Sequence, residues 1–217
     1  MNKDPKFIVF EGIDGAGKTT QINLLREALE KRGLSCAITA EPTELPSGKA
    51  IRRALAKEID KTPLEMAEMF AFDRELHNTD AQTGIEKMLA EGTTVICDRY
   101  YYSSLAYQGT VLGYDTVATL NLDNPNIRRP DICIFLDLTP EKSLQRIGNR
   151  GEKTEIYENF DYLTRTRKTF FEIFDKLRQR GELISIIDAD GDVKEVSARI
   201  LAAVADIFKK FEGTSEN

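Results

Sequence analysis

The sequence predicts an α/β fold in three layers, with a five-stranded parallel sheet flanked by helices, on the strength of three observations. Apolar runs rich in branched residues recur along the chain, stretches of helical periodicity separate them, and neither an internal repeat nor a Gly/Ser linker divides the 217 residues. The strands, in order, are Lys6 to Glu11, Ser35 to Glu41, Thr93 to Asp98, Asp131 to Asp137 and Leu183 to Asp188. Helical periodicity covers Lys18 to Lys31, about Gly48 to Glu58, Pro63 to Glu91, about Ser103 to Gly109, Tyr114 to Leu122, Pro140 to Ile147, Tyr157 to Arg180 and Val193 to Lys210. Start and stop signals support these bounds: Gly33 follows the first helix, Thr62-Pro63 and Thr139-Pro140 read as an N-cap and a proline in the first turn, and Gly92 and Gly181 close the two longest helices. A single domain over residues 1–212 is expected. The polar segment Gly148 to Ile156, between two helices, reads as a mobile loop, and Gly213 to Asn217 as a disordered tail.

Composition narrows the function classes. Hydrophobic residues make up 41% and charged residues 30%, an ordinary globular balance, and no run approaches the roughly 18 apolar residues of a membrane span. The polar Met1 to Lys6 leads straight into a strand without the apolar region of a secretory signal, so the chain is expected in the cytoplasm and off the membrane. Cys36, Cys97 and Cys133 are odd in number, far apart and set in apolar runs, which argues for buried thiols rather than a disulfide framework or a zinc cage. Thirty Lys and Arg against 36 Asp and Glu give a net charge of -6, the wrong sign for a general nucleic-acid binder. An anionic ligand must therefore be met by local positive charge.

The strongest motif supplies that charge. Gly12-Ile13-Asp14-Gly15-Ala16-Gly17-Lys18-Thr19 matches GxxxxGK[ST] in full, between a strand and a helix. Its glycines let the backbone wrap phosphate oxygens, the helix start directs free N–H groups at them, Lys18 adds a point charge and Thr19 can ligate Mg²⁺. The fold is then of the P-loop NTPase kind, which leaves GTPases, ATPases and small-molecule kinases open. A GTPase needs a late NKxD element, and the sequence has none; Asp188-Ala-Asp-Gly191 spells DxxG but follows the last strand, so it reads as coincidence. Asp98 ends a strand where open α/β sheets place ligand groups and is a Walker-B-like metal candidate, or else an acid paired with Arg99. Asp137 also ends a strand, beside a helix start that favours capping or packing. His77, the lone histidine, reads as a surface or satisfied side chain. With no second histidine and no Ser/His/Asp set, hydrolysis has little to work with, whereas transfer to an acceptor that is already a phosphate needs only positioning and neutralisation.

These residues resemble the thymidylate kinase family over nearly the whole chain. The resemblance rests on Phe10-Glu-Gly-Ile-Asp14-Gly-Ala-Gly-Lys-Thr-Thr20, on Glu41-Pro42-Thr43, on Phe70-Ala-Phe-Asp-Arg74, on Asp98-Arg99-Tyr100 through Ser103-Ser104-Leu-Ala-Tyr107-Gln108-Gly109, and on Arg129-Pro-Asp131 leading into Phe135-Leu-Asp-Leu-Thr-Pro140. It implies a P-loop kinase with strand order 2-3-1-4-5, using ATP and Mg²⁺ on thymidine monophosphate, and a homodimer. Carried over, it implies that Gly12 to Thr20 hold the ATP phosphates with Thr19 and Asp98 at the metal. Phe70 would stack on thymine, Arg74 would bond its edge, Ser104 and Gln108 would complete the pocket, Arg99 would hold the acceptor phosphate, Asp14 would meet the sugar 3′-hydroxyl or organise magnesium, and Tyr107 would disfavour ribose. Tyr157 joins the substrate residues on the same basis. Residue chemistry also allows plainer roles: core packing for Phe70, a surface pair with Glu75 for Arg74, and packing on Tyr100 and Tyr101 for Tyr107.

Gly148 to Ile156 matches the family's LID, so Arg146 is expected at the adenine and Arg150 at the transferring phosphates, unless both are solvated charges at a helix end. The variable P-loop positions are Gly15 and Ala16, which places the catalytic cation in the LID. The family commonly has Arg before an aromatic-Glu pair where this chain has Ile156 before Tyr157-Glu158, so Lys153 stands as a substitute for Arg150. The rivals are a kinase of another nucleoside monophosphate and a P-loop nucleotide sensor that transfers nothing.

Overall fold

A computed structural model describes residues 4–148 and 156–209, leaving out the side chains of 156–159 and 209. Five strands, β1 (Phe7–Glu11), β2 (Ser35–Ala40), β3 (Thr93–Asp98), β4 (Ile132–Asp137) and β5 (Ile184–Asp188), form one parallel sheet in the order β2-β3-β1-β4-β5. Phe7 pairs with Val95 and Ile8 with Ile132, so β1 is central, and its five residues are all buried. Alternate side chains feed two cores. On one face Phe7, Val9, Cys97 and Phe135 pack with Tyr100 to Tyr102 and with Phe170 and Phe174; on the other Ile8, Phe10, Ile134 and Leu136 pack with Ile22, Leu25, Leu29, Ile200 and Val204. Every strand runs out onto an acid at the carboxyl end of the sheet: Glu11, Glu41 one residue past β2, Asp98, Asp137 and Asp188.

The helices are α1 (Lys18–Glu30), α2 (Pro46–Leu55), α3 (Pro63–Thr79), α4 (Ile85–Ala90), α5 (Tyr101–Leu112), α6 (Tyr114–Leu122), α7 (Pro140–Gly148), α8 (Ile156–Gln179) and α9 (Val193–Lys209). The expected helix from Pro63 to Glu91 is two. Thr62 and Glu65 close a capping box at the start of α3. At its end, Asp80 Oδ1 accepts the N–H groups of Gln82 and Thr83, and a Cβ on Gly84 would lie 2.4 Å from the Asp80 carbonyl oxygen, so the chain turns and restarts as α4. Helix α5 begins two residues before the expected Ser103 because a distant carboxylate, Glu11, accepts the N–H groups of Tyr100 and Ser103 at 2.9 and 3.0 Å. The expected helix at Gly48 to Glu58 starts earlier, at Pro46, and ends at Leu55. Cys97 and Cys133 are buried thiols as expected, whereas Cys36 on the edge strand β2 is only half-buried.

Candidate active site

The P-loop joins β1 to α1. Gly12, Gly15 and Gly17 all have positive φ, and a Cβ on Gly12 would lie 2.8 Å from the Leu136 carbonyl oxygen, which keeps the loop flush against β4. No side chain caps α1, so the N–H groups of its first turn face the loop. Lys18 curls back and donates to the Gly12 carbonyl at 3.0 Å. Burial, reinforced by the Arg99 cation, pushes its ammonium down to about 8, against partial support from Asp98, Asp14 and Glu11.

One cavity of about 560 Å³ gathers Asp14, Lys18, Thr19, Asp98 and Arg99, with Glu41 and Tyr162 also on its wall. Arg99 has left-handed backbone, φ 69°, and its guanidinium donates to Asp14 Oδ1 at 2.5 Å and Ser103 Oγ at 3.1 Å while lying over the Tyr107 ring. Arg99 thus pairs with Asp14 rather than with Asp98. Asp98 Oδ1 is buried and has no hydrogen-bond partner among the described residues. Glu11 sits beneath Arg99, fully buried; burial raises its carboxyl above the usual range, and Arg99, together with the Tyr100 and Ser103 donors, opposes that.

Beside this cavity Arg74 is buried to 1% exposure, which overturns the surface pair with Glu75. Its guanidinium donates to Glu41 Oε2 from Nε, to Asn121 Oδ1 from Nη1 and to Ser104 Oγ from Nη2 at 3.2 Å, Nη2 also lies 2.6 Å from Glu41 Oε2, and the group lies over the Tyr100 ring. Three of its five N–H groups are hydrogen-bonded, the second on Nη2 is in the ion pair with Glu41, and one on Nη1 is left for another acceptor. Phe70 stands half-buried one turn earlier on α3 and Gln108 half-buried on α5. Tyr107 packs on Tyr162 and Phe170 rather than on Tyr100 and Tyr101, which stack on each other. Asp73, also buried, accepts from Thr43 N–H at 2.8 Å, Thr43 Oγ1 and Ser47 Oγ, clamping the segment after Glu41 to α3.

A second wall of the P-loop opens on a cavity of about 460 Å³ between Gly15 to Gly17, Thr20, Arg146 and the loop Ala189 to Val193. Arg146 donates to the Ala189 carbonyl at 3.0 Å and the Ala16 carbonyl at 3.4 Å, so it is not a solvated charge. The DxxG segment set aside as coincidence supplies one side of this cavity. Asp137 is held by a two-point pair with Arg167 of α8 at 2.6 and 2.8 Å, a packing role. His77 is the satisfied kind of histidine, buried and bonded at both nitrogens. Arg150 and Lys153 lie outside the described residues, and of Tyr157 only its place in α8 is described.

Sequence reasoning missed Glu11, Asp73, Asn121 and Tyr162 and gave Glu41 no role. The strand-end acids carried a usable signal, since groups at the carboxyl ends of parallel strands face the ligand crevice. Asn121 carried none.

Comparison with known proteins follows the same lines. The family model described as Thymidylate kinase matches residues 10–200. A probable thymidylate kinase of Pyrococcus horikoshii is 41% identical over 196 residues, 86% of this chain and 93% of its own length. A putative thymidylate kinase of Treponema pallidum is 36% identical, covering 93% of this chain and 95% of its own length. A thymidylate kinase of Leptospira interrogans is 39% identical, covering 81% and 84%.

Proposed function

The chain belongs to the thymidylate kinase family, and from that premise we propose that it transfers the γ-phosphoryl group of ATP to thymidine monophosphate, releasing ADP and the diphosphate. The observation that carries this reading is the single cavity with Lys18, Thr19, Asp98 and Arg99 on its wall beside the buried Arg74. The glycine loop and the α1 N-terminus receive the ATP phosphates, and Lys18 exchanges its carbonyl partners for phosphate oxygens. Arg99, fixed by Asp14, Ser103 and Glu11, holds the acceptor phosphate in line. The acceptor is already ionised, so positioning and charge neutralisation suffice without a strong base. Arg146 and the Ala189 to Val193 loop take the adenine, and Arg150 supplies the LID cation.

Thr19 and Asp98 would hold magnesium. The buried, unpartnered Asp98 Oδ1 fits a cation. Among the described residues no group of three His, Cys, Asp or Glu could enclose one, so the remaining ligands would be nucleotide oxygens and water. When bound, the ion neutralises charge across the β- and γ-phosphates.

Phe70 stacks on the thymine, Tyr107 lies on the sugar side, Asp14 reaches the 3′-hydroxyl, Ser104 with Gln108 completes the base pocket, and Tyr157 counts among the substrate residues by family resemblance. Arg74 has one N–H to spare, which suits a single carbonyl such as thymine O4 and opposes the amino group of cytosine. The assembly is a homodimer; Leu64 and Phe72 on α3 and Leu55 on α2 are exposed large apolar side chains, of the kind a partner copy would cover. The free thiols suit a reducing cytoplasm.

The test is ADP release with thymidylate, deoxyuridylate and deoxycytidylate, in wild type and Arg74→Ala. Thymidylate should exceed deoxyuridylate by about 10 to 200-fold in kcat/KM, the worth of one methyl in an apolar pocket, and deoxycytidylate should be rejected more strongly. The Arg74 variant should lose that last rejection. No thymidylate-dependent ADP, or full rejection of deoxycytidylate by the variant, counts against the reading.

A further inference from the structure

Arg74 owes its orientation to Glu41, and Glu41 is shared. Its Oε2 accepts from Arg74 Nε at 2.8 Å and lies 2.6 Å from Nη2 in the ion pair, while Oε1 accepts from His77 Nδ1 at 2.9 Å. His77 stands three residues beyond Arg74 on the same face of α3, and its Nε2 lies 2.7 Å from Thr39 Oγ1 on β2. All three side chains are nearly inaccessible, at 1%, 3% and 5% exposure for Arg74, Glu41 and His77. A carboxylate only accepts, so Nδ1 carries a hydrogen, and Nε2 shares a hydrogen bond with the Thr39 hydroxyl. A chain of polar contacts therefore runs from Thr39 through His77, Glu41 and Arg74 to Ser104.

The division of the carboxylate is what matters. An arginine facing an unconstrained carboxylate favours the fork-to-fork arrangement, two N–H groups on two oxygens. Here both Arg74 nitrogens facing Glu41, Nε in a hydrogen bond and Nη2 in the ion pair, approach one oxygen, and His77 is bonded to the other. We propose that His77 is a positioning residue for acceptor-base recognition: its Nδ1–H holds Glu41 in the divided geometry and so aims the remaining Arg74 N–H at the base. Without that donor, Oε1 is left buried and unsatisfied, and the pair relaxes toward the fork, turning the guanidinium. The inference rests on the reading that Arg74 contacts the base.

Two variants separate the two ring nitrogens. In His77→Asn the amide nitrogen stands near the position of Nδ1 and keeps the donor to Glu41; in His77→Gln it reaches instead toward the position of Nε2 and Thr39. Steady-state kinetics with thymidylate and deoxycytidylate, with Arg74→Lys alongside, should show His77→Gln raising the KM for thymidylate about tenfold or more, the scale of a lost hydrogen bond to a charged group. Its kcat should stay within about threefold, because the reacting phosphates are not involved. Its preference for thymidylate over deoxycytidylate should fall, its KM for ATP should not move, and His77→Asn should stay near wild type in all of these. A purely structural histidine would lower the melting temperature of both variants and leave the preference intact, and that result overturns the proposal. If Arg74→Lys loses the preference while His77→Gln keeps it, the relay alone is wrong. If Arg74→Lys also keeps the full preference, the base-reading premise falls and the relay with it.

Discussion

Lys18 is a buried cation whose present partners are two backbone carbonyls, Gly12 at 3.0 Å and Ile13 at 3.5 Å. Burial, with Arg99 nearby, lowers it to about 8 from the usual 10.5. A bound polyphosphate replaces those carbonyls with anionic oxygens and returns the group above about 10, so nucleotide binding in alkaline buffer must take up a proton. At pH 8.5 a group at about 8 is roughly one quarter protonated, so the uptake is about three quarters of a proton per site; at pH 7 it is about one tenth. Calorimetric titration of ATP, without thymidylate, in buffers of different ionisation heat reads this directly as the slope of observed enthalpy against buffer enthalpy. Lys18→Arg keeps the charge at every accessible pH and should bind with no uptake at pH 8.5. Equal slopes for wild type at the two pH values, or an undiminished slope in the arginine variant, would refute the reasoning.

Two further outcomes can be stated from packing and burial. Gly48→Ala should lower stability by about 1 to 3 kcal/mol and raise the KM for thymidylate, because the new Cβ would lie 2.0 Å from the Thr43 carbonyl oxygen and displace the segment Asp73 clamps behind Glu41; a variant melting like wild type goes against it. Glu182 is held above the usual carboxylate range, chiefly by burial, and its Oε1 has no hydrogen-bond partner among the described residues while Oε2 accepts the Tyr102 hydroxyl. Its folded state holds the proton longer than the unfolded chain does, so stability falls as pH rises above the ordinary carboxylate range. Glu182→Gln removes that loss, and its gain in melting temperature over wild type should be larger at pH 8 than at pH 5; equal gains would discard the idea.

What could be read from the sequence was what neighbouring residues decide. The run Phe7 to Phe10 followed by the glycine loop and Lys18 identifies a strand, a phosphate cradle and a helix from local chemistry alone, whereas the central place of β1 is implied only by the family resemblance. Arg74 is the opposite case. Its side chain is held by Glu41, Ser104 and Asn121, which stand 33, 30 and 47 residues away, so its burial depends on three other elements arriving. The alternative of Tyr107 packing on Tyr100 and Tyr101 fails for the same reason, since its stacking neighbour Tyr162 comes from α8. The break at Asp80 was local and readable, because an Asp followed by Thr83-Gly84 is a turn signal; the apolar periodicity on both sides obscured it. The segment Asp188 to Gly191 spells an unrelated motif, and its place beside the P-loop depends on β5 joining the sheet, which no neighbouring residue decides.

The row of acids at the carboxyl end of the sheet gives this chain, with its net charge of -6, an unexpected way to approach a polyphosphate. Five carboxylates on one rim would repel it. Arg99 stands 3.9 Å from Glu11, Arg74 2.6 Å from Glu41, Arg167 2.6 Å from Asp137 and Arg199 3.9 Å from Asp188. The rim is therefore an alternating line of pairs whose fields largely cancel a few ångströms out, and an incoming anion meets dipoles instead of a wall of like charge. Among the described residues Asp98, on β3 between Glu41 and Glu11, is the member of that row with no arginine at ion-pair distance, and Arg99 and Lys18 act on it only from farther off, so the least compensated negative charge of the rim lies at that carboxylate, beside Thr19. Attraction for a divalent cation would be focused there, so the line of pairs that eases the approach of the phosphates would also favour one place for their counterion.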